Sequence, residues 1–107
     1  MSVDIVGLKL SAQRGLLYNV FPELRAVCVS AEENLIYVGF FVDGEITEEQ
    51  REYCASVLDD ILADFFQVNP NEEDDLEYEA PIVRLDYPQK PPLRGFWVYY
   101  RHESNPT

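Results

Sequence analysis

The chain is short of nearly everything that catalysis uses. Its 107 residues hold one histidine, His102, and two cysteines, Cys28 and Cys54. A general base at His102 would need a nucleophile and an orienting group, and no motif supplies either. Neither cysteine sits in an electropositive context that would favour its thiolate; both fall in apolar stretches and read as buried, reduced thiols. The five glycines form no phosphate-cradling loop, and no histidine and cysteine spacing suits zinc. No apolar run approaches the length of a membrane span, and Asp4 interrupts the N-terminus where a signal sequence would need a hydrophobic core. A cytoplasmic location is therefore expected.

Positive charge is also scarce. Twenty acids face eight bases, leaving a net charge of −12. Nucleic acid and anionic membrane are poor direct partners for such a chain, because their phosphates are repelled. The excess is concentrated. Between Asp43 and Glu79 there are fourteen acids and one base, Arg51, whereas the remainder carries six acids and seven bases. Mixed signs would give solubility at less self-repulsion, so a concentrated block suits a basic partner.

What is present is a globular composition, 47 % hydrophobic and 13 % aromatic, with room for one domain over residues 1–107. Ile5, Leu8, Ala12 and Leu16 recur at helical spacing between about Val3 and Tyr18, although Gly7 and Gly15 weaken that helix. Leu24–Ser30 alternates as a strand. Leu35–Val42 is almost continuously apolar, as a central strand is, and the two should form a hairpin. Thr47 and Gln50 are spaced as a capping box, opening a helix to about Phe66 that buries Cys54, Val57, Leu58, Ile61, Leu62 and Phe65. Gln67–Asp75 reads as an acidic loop. Ala80–Tyr87 reads as an edge strand because of Pro81. Tyr87–Leu93 is a proline-rich loop, Arg94–His102 a last strand, and residues from Glu103 a frayed tail.

The expected fold is thus α+β, in the order α-β-β-α-β-β: a two-layer sandwich with a four-stranded, mainly antiparallel sheet and two helices on one face. The more aliphatic parity places Val27, Val29, Ile36, Val38, Phe40, Val83, Leu85, Phe96, Val98 and Tyr100 beneath the helices. Tyr37, Phe41, Arg84, Trp97, Tyr99 and Arg101 then fall on an open face, either an ordinary half-wet surface or an interface that could pair two copies.

Acidic side chains raise two chemical alternatives. Asn69, Asn71, Glu73 and Asp75 alternate as calcium ligands do, but residue 74 is not the required glycine and Ala80 stands where a bidentate glutamate belongs. Asp59 and Asp60 are adjacent on a helix, so they diverge by about 100° and do not form a catalytic pair. No metal or cofactor is expected, and no enzymatic activity.

Several stretches are similar to a known group. Phe21-Pro22-Glu23-Leu24-Arg25-Ala26-Val27, Gly39-Phe40-Phe41-Val42-Asp43-Gly44 and Thr47-Glu48-Glu49 resemble small bacterial immunity proteins of contact-dependent and polymorphic toxin systems. Leu85-Asp86-Tyr87-Pro88 and the run Trp97–Glu103 fit the same picture, so the likeness covers about Phe21 to Glu103. The resemblance implies a cytoplasmic protein that binds and neutralises one cognate toxin. Such toxins are often nucleases, which present a basic surface to phosphate, and an acidic inhibitor would be steered onto it. The expected contact residues are Asp59, Asp60, Asp64, Glu72, Glu73, Asp74, Asp75, Glu77 and Glu79, with Tyr78 and Tyr87 as aromatic anchors. The competing reading of the same charge is an acidic DNA mimic or adaptor acting on a nucleic-acid-binding protein.

Overall fold

The computed structural model describes residues 4–66 and 77–103. In chain order the elements are α1 (Ile5–Leu16), β1 (Leu24–Glu32), β2 (Leu35–Val42), α2 (Glu48–Phe66), β3 (Glu77–Glu79), β4 (Ile82–Arg84) and β5 (Phe96–Tyr100). Asp4 caps α1 by accepting from the Val6 amide at 3.1 Å. The Thr47 and Gln50 capping box forms reciprocally: each side chain accepts from the other residue's amide at 3.1 Å.

The sheet is mixed and has five strands, which corrects the four-stranded, mainly antiparallel expectation. β1 pairs antiparallel with β2 and with β5, whereas β3 and β4 both pair parallel with β2. The reason is the crossover. A strand reached from β2 through a whole helix returns in the direction of β2, not against it. β3 and β4 lie one after the other along the same edge of β2, separated by Ala80 and Pro81. Proline has no amide to donate, so the ladder breaks there. Instead the Pro81 carbonyl accepts from the Phe40 amide at 3.0 Å.

Both helices cover one face. Leu8, Ala12 and Leu16 of α1 and Cys54, Val57 and Ile61 of α2 pack with Val27, Val29, Ile36, Val38, Phe40 and Val42. Gly15 makes the helix pair possible: a Cβ there would stand 3.2 Å from the Val57 carbonyl oxygen, so the missing side chain is what lets α1 and α2 approach.

The opposite face holds a smaller cluster of Ala26, Cys28 and Phe41, against which Tyr37, Leu85 and Trp97 pack. Several parity assignments change, that of Arg84, which pairs with Val42, among them. Val83 and Leu85 leave the helix face because Phe40 pairs with Ile82, which puts Ile82 inward instead. In β5 the register slips between Val27 and Cys28, so Tyr99 pairs with Val27 and packs inward while Tyr100 pairs with Ala26. One extra residue reverses every side chain beyond it.

The face without helices is not open. The proline-rich segment between β4 and β5 leaves the Val42 end of β2 and reaches β1 at Val29, passing over this cluster. Leu85 packs on it, Pro91 is buried, and the Arg94 guanidinium lies 4.1 Å from the Tyr37 ring centroid. Gly95 ends the crossing with φ 85°, and a Cβ there would fall 2.0 Å from the Val29 carbonyl oxygen. Only glycine fits.

Candidate partner-binding surfaces

The described residues offer two polar constellations of opposite character. The first is a closed network at the end of the sheet where β1 begins. Arg25 sits at a bulge between Leu24 and Ala26 and is 1 % exposed. Its guanidinium donates to both carboxylate oxygens of Glu103, at 2.7 and 2.9 Å, and to the Leu85 carbonyl at 2.7 Å. Arg101 donates to the same Glu103, to the Pro22 carbonyl at 2.9 Å and to Asp43 at 3.0 Å. Asp43 also accepts from the Tyr87 amide at 3.3 Å. The hydrogen bond from Arg25 holds the Glu103 carboxyl below its ordinary range, against the opposing effect of burial. Asp86 is held low in the same way, by Arg84 and then by the Gly44 amide.

Every charge in this network is matched, so it fastens the chain and leaves little for a partner. Glu103 is the first residue of the expected frayed tail, yet it is tied down; residues 104–107 lie outside the described residues. Arg25 had a sequence signal, a lone cation inside an apolar strand. Its partner, 78 residues away, had none.

The second constellation is the outer surface of the helix layer. α2 carries Glu48, Glu49, Glu52, Asp59, Asp60 and Asp64 with Arg51 as its one base. All but Asp64 are exposed, and no ion pair among the described residues engages Glu48, Glu52, Asp59 or Asp60. Glu49 accepts from the Tyr53 hydroxyl at 3.0 Å. Asp64 is turned toward α1, where Ser11 and Arg14 both donate to it.

The other expected contact residues scatter. Glu77, Tyr78 and Glu79 form β3 and are exposed, and Glu79 joins Glu32 around Arg94, at 3.8 and 3.4 Å. Tyr87 instead lies at the far end of the same edge, 5.8 Å from the Arg25 guanidinium. Tyr78 pairs with Ile36 and Tyr87 bonds Asp43, so about 20 Å of strand separates the two expected anchors. Glu72, Glu73, Asp74 and Asp75 lie outside the described residues, as do Asn69 and Asn71. Both cysteines are buried and free, and burial pushes the Cys54 thiol up to about 12. Among the described residues no three potential metal ligands converge.

The arrangement leaves the α2 carboxylates Glu48, Glu52, Asp59 and Asp60 exposed and without ion pairs among the described residues. A family model of immunity proteins matches residues 6–103, and the chain belongs to the MafI2 immunity protein family. That membership makes toxin neutralisation its class of function and a cognate toxin its class of partner. The resemblance in the sequence therefore holds, and the match extends it back through α1. No curated protein matches the chain. Among the described residues, no helix is long and apolar enough to cross a membrane.

Proposed function

We propose that the protein neutralises a toxin whose working surface is basic, as a nuclease's is, by docking the exposed carboxylates of α2 against it. The observation that carries this reading is the imbalance on one helix: Glu48, Glu52, Asp59 and Asp60 are exposed and have no ion pair among the described residues, while the cations elsewhere in the fold are largely matched. A basic toxin would gain from this field in two ways. Diffusional encounter would be steered, with association rates reaching about 10⁸–10⁹ M⁻¹s⁻¹ at low salt, and the toxin's phosphate-binding cations would be occupied. The protein then works in the cytoplasm of the producing cell, as part of a contact-dependent or polymorphic toxin system. It needs no cofactor and no chemistry of its own.

Association kinetics test the reading. Against the toxin domain encoded by the neighbouring gene, the triple variant Glu52→Gln, Asp59→Asn, Asp60→Asn should associate about tenfold more slowly at low salt. Its salt dependence should flatten. Equal rates and equal salt slopes for variant and wild type would overturn the acidic docking surface.

A further inference from the structure

α1 has two apolar stripes, and the fold buries only one. Leu8, Ala12 and Leu16 face the core. Val6, Leu10 and Leu17 stand at positions i, i+4 and i+11 on another side, which gathers them within about 40° around the helix. They are 61 %, 57 % and 71 % exposed, and Tyr18 just past the helix is 92 % exposed. None of the four belongs to either hydrophobic cluster. A depression lined by Gly7, Leu10, Gln13, Arg14 and Leu17 runs along the stripe. Scattered exposed leucines need no explanation, but three aliphatics within about 40° on one side of a helix, followed by a tyrosine, form a row that the fold leaves exposed.

Charge around the patch indicates what covers it. Asp64 of α2 reaches across to Arg14, and Asp60 lies one turn before it on the flank of α2 that faces α1. The apolar row is therefore bordered by the acidic helix. Two copies pairing through α1 would bring two such acidic flanks, each on a chain of net charge −12, against one another. A basic partner meets no such repulsion.

We infer that the Val6, Leu10, Leu17 and Tyr18 stripe of α1 is the desolvated centre of the toxin interface, seating an apolar patch of the toxin whose rim carries lysine and arginine. This rests on the proposed function and adds a division of labour. The α2 carboxylates govern the rate of encounter, and the α1 stripe governs how long the complex lasts, since anchors at the centre of an interface act chiefly on dissociation.

The test uses the double variant Leu10→Ser, Leu17→Ser and the toxin domain encoded by the neighbouring gene. Both side chains are exposed, so circular dichroism and Tm should match wild type. Affinity should fall by about a hundredfold or more, nearly all of it through faster dissociation, with association within about threefold. The variant Leu10→Met, Leu17→Met keeps the apolar area and should bind within a few-fold of wild type. Undiminished binding by the serine variant, with wild type still protecting cells, would overturn the inference and leave the toxin-neutralising function standing. So would a wild-type dimer in sedimentation that the serine variant abolishes without losing toxin. Wild type failing to bind or protect would instead overturn the functional reading itself.

Discussion

The two surfaces of this sandwich treat charge and apolar area in opposite ways. Across the face without helices, Arg25, Glu103, Arg101 and Asp43 are matched to one another, and the segment between β4 and β5 packs its Leu85 on the smaller cluster beside Trp97 and buries its Pro91. On the outer side of the helices, Glu48, Glu52, Asp59 and Asp60 have no ion pair among the described residues, and Val6, Leu10 and Leu17 are more than half exposed. Groups that satisfy each other inside one chain hold that chain together. Exposed carboxylates are hydrated but repel one another, and a cationic, partly apolar partner would relieve that repulsion while burying the aliphatics, so the second surface is where function is sought.

That contrast is sharpest if damage to the first surface lowers stability while sparing affinity. Gly95→Ala should be the most harmful change. It forces a Cβ onto the Val29 carbonyl at a backbone angle that side chains avoid, and the combined strain and overlap should cost about 4 kcal/mol. Chemical denaturation reads this directly, and toxin affinity per folded molecule should be unchanged. Next comes Arg25→Met, which leaves Glu103 without its main partner in a largely buried site; about 3 kcal/mol should be lost. A loss of toxin affinity in either variant, measured on the folded fraction, would break the division between the two surfaces.

Acid should probe the same network. Glu103 has its pKa depressed in the folded state, from an ordinary value of 4.5. Its stabilisation is therefore fully present above that value and is lost as pH falls through the lowered one. Glu103→Gln should be less stable than wild type at pH 7, and the gap in Tm should close as the pH is taken below 4.5. A gap that stays constant with pH would show that the carboxylate's charge is irrelevant to the network. The smallest effect belongs to Thr47→Ala at the start of α2, about 1 kcal/mol, because only one capping hydrogen bond is removed.

Local signals in the sequence carried far. The apolar run Leu35–Val42 is a strand between those limits, and the Thr47 and Gln50 spacing opens a helix that ends at Phe66, as expected. Such features depend on neighbours within a few residues. The edge strand was harder to read: of the expected Ala80–Tyr87 only Ile82–Arg84 is strand, and Glu77–Glu79, which lies between the expected acidic loop and that strand, pairs with β2 as well. The candidate site divided likewise. The acidic character of α2 was legible because helical periodicity alone turns Asp59 and Asp60 outward. The separation of Tyr78 from Tyr87 was not, since it depends on where along β2 each segment docks.

Composition and short-range spacing by themselves settled the acidic imbalance, the hairpin, both helices and the α2 capping box, since each follows from contacts or periodicities a few residues long. Only the tertiary structure decided that the edge strands run parallel to β2, that a bulge swaps Tyr99 for Tyr100, and that Arg25 meets Glu103. These depend on register and crossover direction, which bring residues far apart in the chain to one point and leave no trace in the residues between them.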